Sequence, residues 1–497
     1  MLTRLRVNGF KNLVDVDIHF GPFTCIAGAN GSGKSNLFDA LHFLGALADG
    51  TLMDAALSVR EGSVRAQDIQ NLFLHVADWY APRMSFEAEM IVPREVTDDL
   101  GQNARAEFTF LRYELVLTLS HDAGVPGLRI EREELSSMTM AEASGFVYFP
   151  HSSQWRDSVL HGRRAWPLIS TESGENGNLI RVHQDGRQGR IPKWLASTLP
   201  RTVISVSSTT ENPSILAARR EMQSWRLLQL EASALRRPDE FTAPARMASN
   251  GLHVPAVLYR LIHQQPATAE TGKDANGANI IHSGQVYARI ANRLNELVED
   301  IRGVYIERDI QRELLTLYAT TKEGTAYAAK SLSDGALRFL ALTVMELDSE
   351  AQGVLCLEEP ENGIHPNHIP AMIRLLKDIA CDTQEPVDPY NPLRQVIINT
   401  HSPAVVAEVP EGSLLLARLI EHVDEGRRYR GPQFCCLSET WRANAGQSPI
   451  ITKGEMLAYL QRMQPYDERD DDSVPAIEDK RVADRQDLLP LPFPVES

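Results

Sequence analysis

Gly28-Ala29-Asn30-Gly31-Ser32-Gly33-Lys34-Ser35-Asn36 satisfies the pattern G-x-x-x-x-G-K-[ST] at every constrained position. The chemistry of that pattern is the holding of phosphate. Glycines at this spacing let successive backbone N–H groups turn inward around an anion. Gly28, Asn30, Gly31, Ser32, Gly33, Lys34, Ser35 and Asn36 are therefore the candidate contacts for the β- and γ-phosphates of a nucleoside triphosphate. Lys34 adds a point charge there, and the Ser35 hydroxyl is a ligand for Mg²⁺.

Binding phosphate is not hydrolysing it. Hydrolysis needs an acid for the metal, a base for the attacking water and a group that senses the γ-phosphate. Leu355-Cys356-Leu357-Glu358-Glu359-Pro360-Glu361 supplies two carboxylates just beyond an apolar run. In an open α/β sheet, ligands gather at the carboxyl ends of the strands. Glu358 is then the candidate for Mg²⁺, and Glu359 for polarising the water. Asn399-Thr400-His401-Ser402-Pro403 repeats the arrangement and offers His401 as the sensor. Taken singly, the acids read as a solvated turn and the histidine as structural. Ser331-Leu332-Ser333-Asp334-Gly335 opens a helical run. Ser333 or Asp334 can serve simply as its N-cap, and the same atoms also form an anion site.

The elements that must position these groups are legible from periodicity. Phe23–Ala27 reads as a short buried strand before the loop and Asn36–Ala46 as a helix after it. Residues 2–20 read as two strands turning around Asn8-Gly9, and Met84–Val92, Phe108–Leu119 and Leu128–Leu135 as an antiparallel layer. Ser214–Leu230 and Val286–Val298 read as amphipathic segments, and 262–284 as a flexible excursion. Beyond residue 330 the pattern is helix Asp334–Glu350, strand Val354–Leu357, helix Pro366–Ala380 and strand Gln395–Thr400. Strand, helix and strand at that spacing form a parallel α/β unit.

Composition narrows the classes. A chain of 497 residues can bury a large core and holds about two or three structural units. No apolar run approaches the ~20 residues of a membrane span, and the first residues read as a strand rather than a signal peptide, so no membrane partner is expected. Cys25, Cys356, Cys381, Cys435 and Cys436 lack metal-ligand spacing and read as reduced core residues of a cytoplasmic protein. The net charge of −16 argues against a chain coated in nucleic-acid-binding surface. Part of it comes from Asp467, Glu468 and Asp470–Asp472 in an acidic tail that reads as solvated and disordered.

The ordered set GANGSGKSN, SLSDGALRFL, VLCLEEPENGIHP and NTHSP resembles the ABC-type ATPase heads of the RecF/SMC/OLD group. The resemblance covers most of 1–465 and is strongest in 1–75 and 325–410. It implies an α/β head with a parallel P-loop core sheet, an antiparallel β layer and a mixed, helical lid insertion. The corresponding division is an ATPase lobe at 1–140, the insertion at 141–325, a second ATPase lobe at 326–465 and the tail at 466–497. ATP and Mg²⁺ are the implied cofactors. By the resemblance SLSDG is a signature motif whose Ser333 and Gly335 complete the nucleotide site of a second protomer, so two heads dimerise on ATP. Pro360–Gly363 falls at the D-loop on that interface. Two features depart from the group's commonest pattern: the signature is LSDG rather than LSGGQ, and Glu358 stands where Asp is usual. Both fit the OLD/RecF-like branch better than membrane transporters.

The resemblance also places Lys11 near the nucleotide, though a plain surface lysine fits that position equally. Arg60 and Arg65 match a DNA-sensing arginine, and Gln70 a Q-loop residue. Arg219, Arg220, Arg226, Arg236 and Arg237 form the densest local basic segment, for which a solvated helix face is the ordinary reading. No long heptad run interrupts the head, and no Toprim nuclease set follows His401. The expected output is therefore a switch acting on a partner: a separate effector nuclease in anti-phage defence. A RecF-like clamp on double-stranded DNA and a nucleotide-regulated scaffold without DNA are the alternatives.

Overall fold

The computed structural model describes residues 1–59, 66–122, 125–139, 147–162, 165–185, 192–207, 210–263, 280–298, 300–424, 426–446 and 448–462. Two large sheets organise it. The first has eight strands in the order 193–195, 177–182, 166–174, 125–137, 110–122, 83–91, 2–8 and 16–19. Its neighbours are all antiparallel. The second has seven, in the order 226–228, 353–358, 394–400, 23–28, 414–424, 427–437 and 450–451. Its first five strands run parallel, and 414–424 and 427–437 close it with an antiparallel hairpin.

The central strands of the second sheet are buried almost along their whole length, with apolar side chains through their middles, because both faces are covered. Alternation along Gly353–Glu358 sends Val354 and Cys356 to one side and Leu355 and Leu357 to the other. Phe23–Gly28 and Arg394–Thr400 divide likewise, with Ile26 and Ile397 on the first side and Cys25, Ala27, Val396 and Ile398 on the second. The first face packs on helix Lys34–Leu47 and, beyond it, on the eight-stranded sheet. The second packs on helices Val254–His263, Ile280–Asn295, Asp334–Leu347 and Ile369–Ile379. All five cysteines are buried and unpaired, and burial pushes the thiols of Cys25 and Cys356 up.

Helix Lys34–Leu47 lies between two sheets, so it buries Leu37, Phe38, Leu41, Phe43, Leu44 and Leu47 around much of its circumference. Phe43 stacks on Phe10 with ring centres 5.6 Å apart, which ties the helix to the turn after the first strand. At the helix end the Thr202 hydroxyl donates to Leu47 O at 2.7 Å and Arg219 Nε to Ala48 O at 3.2 Å, satisfying carbonyls that would otherwise be orphaned.

Two expectations are corrected here. Ser214–Leu230 is not one amphipathic segment: helix Pro213–Gln223 ends, and Arg226–Leu228 joins the seven-stranded sheet parallel to Leu355–Leu357. Of the arginines of 214–237, Arg237 is exposed, but the other four are not a free solvated face. Arg219 and Arg220 both pair with Asp99, Arg226 donates to Met247 O, and Arg236 reaches Asp334 and Leu332 O. Strands 166–174, 177–182 and 193–195 extend the antiparallel sheet, so the residues between 141 and 325 are spread over both layers. Arg60, Arg65, most of 262–284 and the acidic tail lie outside the described residues.

Candidate nucleotide site

The loop between strand Phe23–Gly28 and helix Lys34–Leu47 is shaped by its glycines. Gly31 and Gly33 hold φ of 75° and 91°, the left-handed region that glycine enters without steric cost. Gly33 is the N-cap of the helix, so the free N–H groups of the first turn open toward the loop. A Cβ at Gly28 would stand 2.5 Å from Ala417 O, and one at Gly33 would stand 2.8 Å from Pro432 Cγ. Strand 414–424 and its hairpin partner therefore brace the loop from outside.

A cavity of about 400 Å³ lies on this loop. Asn30 through Asn36 line one side; Glu358, Glu359, Asn362 and Asn399 line the other. The parallel register accounts for the juxtaposition. Glu358 is level with Asn399, and Asn399 with Ile26, so the strand ends beyond them converge on the loop. Lys34 is 6 % exposed, and its Nζ donates to Gly28 O at 2.7 Å and Ala29 O at 2.8 Å. Burial lowers its pKa, against the pull of Glu359, Glu358 and Glu361.

Glu359 accepts from His401 Nδ1 at 2.8 Å and from Asn362 Nδ2 at 2.9 Å. Burial alone would raise its carboxyl; these two hydrogen bonds and the Lys34 charge outweigh it and hold the group below its ordinary range. Glu361, the third acid of the run, is turned inward, where it accepts from the Thr400 hydroxyl, and burial pushes its carboxyl up. The Oε2 atom of Glu361 and the Ser32 hydroxyl are buried without a hydrogen-bond partner among the described residues.

The donor set fits a magnesium nucleotide. Backbone N–H groups, a lysine and an unpartnered buried hydroxyl face the cavity. Ser35 and Glu358 offer hard oxygen, and no cluster of three or more His, Cys, Asp or Glu residues among the described residues makes an all-protein cage. Magnesium uses one or two protein oxygens together with phosphate in such sites.

The other expected residues are placed as follows. Lys11, with φ of 50°, pairs with Asp39 on the loop helix and is not among the residues lining the cavity. Its neighbour Asn12 accepts from Asn36 Nδ2 at 2.7 Å. Gln70 sits in the 3-10 turn Ala66–Leu72, also away from the lining. Ser333 caps helix Asp334–Leu347 through Ala336 N at 3.3 Å. Gly335 packs so closely on the 360–363 turn that a Cβ would stand 2.4 Å from Gly363 O. Ser333 and Gly335 are thus held beside that turn and not against this chain's own phosphate loop. Asn362 and Asn399 were missed as site residues by sequence reasoning. Their motifs were visible, but carboxamides at the ends of acidic and histidine motifs carry no signal until the strands are paired.

Known proteins match both halves of this site. Residues 1–59, which hold the loop, match the family model described as "RecF/RecN/SMC N terminal domain". Residues 177–407, which hold Ser333, Glu358, Glu359 and His401, match the one described as "AAA domain, putative AbiEii toxin, Type IV TA system". The DNA replication and repair protein RecF of Bacteroides thetaiotaomicron is 30% identical over 109 residues, 22% of this chain and 26% of that protein. RecF of Aliivibrio fischeri is 35% identical over 75 residues, 15% and 19% of the two chains. The chain thus spans about a quarter or less of these relatives' length. Among solved structures, an Smc head bound to the C-terminal winged-helix domain of ScpA is 13% identical over 88% of this chain and 98% of that one, with a TM-score of 0.43.

Proposed function

This chain belongs to the RecF/SMC-like group of ABC-type ATPases, and on that footing we propose that it binds MgATP in the 28–36 loop and hydrolyses it through Glu359. The observation that carries the proposal is that Glu358 and Glu359 line the same cavity as the phosphate loop, with Glu359 hydrogen-bonded to His401. The loop N–H groups and Lys34 bind the phosphates, Lys34 exchanging its carbonyl partners for phosphate oxygens. Ser35 and Glu358 hold Mg²⁺, whose charge neutralises that developing on the phosphates. Glu359 takes a proton from the attacking water, while His401 fixes the carboxylate and reads the γ-phosphate.

Ser333 and Gly335 complete the site of a second copy, so that ATP closes two heads on each other. The switch licenses a partner, and we favour a separate effector nuclease in defence, a reading supported by the toxin-system wording of the AAA match. The RecF matches favour a second reading, an ATP-dependent clamp on duplex DNA. Protein-only signalling remains the third. A cytoplasmic setting suits all three, and no helix among the described residues is long and apolar enough to cross a membrane.

Steady-state phosphate release from MgATP tests the core of the proposal. Turnover is expected to fall about 100-fold or more in Glu359→Gln, in line with loss of a positioned base. Equal rates for the two proteins would remove Glu359 from the mechanism. Adding duplex DNA separates the outputs: stimulation supports the clamp, and indifference supports a protein partner.

A further inference from the structure

Successive residues of a strand face opposite sides of the sheet. Strand Gly353–Glu358 obeys this through Leu357, so continued extension would direct Glu358 toward the loop-helix side and Glu359 toward the opposite face. Both residues nevertheless line the cavity on the loop. The backbone reconciles them by leaving the extended region at Glu359, whose φ is 44°. A non-glycine residue in that left-handed conformation costs roughly 1–2 kcal/mol and persists only where its surroundings hold it.

Asn362 N closes the following turn on Glu359 O at 3.0 Å, and the side chain that holds the Glu359 N–H is Asn399. This side chain is 2 % exposed and stands directly across the parallel ladder from Glu358. Its Oδ1 accepts from Glu359 N at 3.1 Å, and its backbone O accepts from the same N–H at 3.1 Å. Its Nδ2 donates to Glu358 Oε1 at 3.2 Å. One carboxamide therefore pins the turned peptide with its acceptor end and aims the neighbouring carboxylate with its donor end. An aspartate would keep the first contact and set a like charge against Glu358. An alanine would lose both side-chain contacts and leave the Glu359 N–H with the backbone bond to residue 399 alone.

We propose that Asn399 is the positioning residue that brings Glu358 and Glu359 onto the same side of the sheet, and so sets the metal acid and the base against one nucleotide. The proposal rests on the assignment of those two acids to MgATP hydrolysis. It separates Asn399 from a residue that merely stabilises the strand, because its loss should act through both carboxylates while leaving the loop's own grip on phosphate intact.

The test compares wild type, Glu359→Gln, Asn399→Asp and Asn399→Ala, each first checked by circular dichroism and thermal melting. Asn399→Asp is nearly isosteric and guards against simple misfolding. Two readouts are taken: turnover at saturating ATP, and binding of a fluorescent ATP analogue with and without Mg²⁺. In both Asn399 variants kcat should fall about 10- to 100-fold, the usual effect of removing a group that orients a ligand, with KM for ATP little changed. The Mg²⁺-dependent gain in analogue affinity should shrink by a similar factor, while metal-free binding stays at the wild-type level. Folded variants with wild-type kcat and wild-type Mg²⁺ dependence would overturn the proposal. If wild type and Glu359→Gln turn over equally, the hydrolytic assignment fails. The Mg²⁺ titration then still decides whether Asn399 aims Glu358: an unchanged titration rejects that, and a weakened one supports it.

Discussion

At the scale of single residues, the site works by giving like groups unlike surroundings. Glu358, Glu359 and Glu361 lie within four positions, yet one accepts from the Asn399 carboxamide, one is held by His401 and Asn362, and one is buried against Thr400. The hydrogen bonds on Glu359 make it a weaker base than an isolated glutamate, but they also fix it in place. His401→Ala removes the Nδ1 contact at Oε1. It should lower kcat about 10-fold or more while altering nucleotide affinity far less, which transient and steady-state kinetics can separate. Lys34→Ala should act differently, because in the proposed site it removes the charge assigned to the phosphates themselves. Its main effect should be weakened ATP binding, read by titration with a fluorescent nucleotide.

At the scale of elements, the loop between strand Phe23–Gly28 and helix Lys34–Leu47 is packed against the 414–424 and 427–437 hairpin rather than free. Gly28→Ala would drive a Cβ into Ala417 O and the Ser32 hydroxyl. The expected cost is about 1–3 kcal/mol, seen as a lower denaturant midpoint with the m-value unchanged. A second element-scale device lies in the antiparallel sheet. Glu133 is buried and accepts from Val203 N at 2.7 Å and Ile204 N at 2.9 Å, fastening short helix Val203–Val206 to the sheet. Burial dominates over these bonds and pushes its carboxyl up to about 7 from an ordinary 4.5. Between those values the folded chain binds the proton and the unfolded chain does not, so stability falls as pH rises from about 4.5 to about 7 and is flat above. Glu133→Gln should remove that slope. Melting of the two proteins from pH 5 to pH 8 checks it, and a parallel pH response in both would exclude Glu133 as its source.

At the scale of the whole molecule, the expectation is a head that closes on a second copy. Sedimentation of Glu359→Gln should reveal an ATP-dependent dimer that Lys34→Ala cannot form. Ser333→Arg should abolish it while costing only about 1 kcal/mol for the lost helix cap. Persistence of the dimer in Ser333→Arg would remove the signature segment from the interface. Electrostatics shape the DNA question at this scale too. With a net charge of −16 and four of the five arginines of 214–237 engaged internally, that segment offers little for a phosphate backbone. Replacing Arg219 and Arg220 with glutamine should therefore reduce stability without changing the salt dependence of any DNA affinity, measured by fluorescence anisotropy.

The sequence by itself determined which loop, acids and histidine are candidates for chemistry and most of the strands and helices that carry them. Those signals are local. A phosphate loop needs glycines and a lysine at fixed spacing, and a strand covered on both faces carries an apolar run through its middle. The start of helix Asp334–Leu347 was legible for the same reason. Tertiary structure alone decided what depends on pairing across the chain. Leu228 joins the central sheet beside Leu357, Arg219 closes the loop helix 171 residues away, and Asn399 reaches Glu359 across 40 residues. None of these contacts has a periodic or compositional signature, because hydrogen-bond geometry between distant strands depends on register and backbone hand. The turn of hand at Glu359 is the sharpest case: a strand pattern predicts two acids on opposite faces, and only the packed sheet lets both residues line the cavity on the phosphate loop.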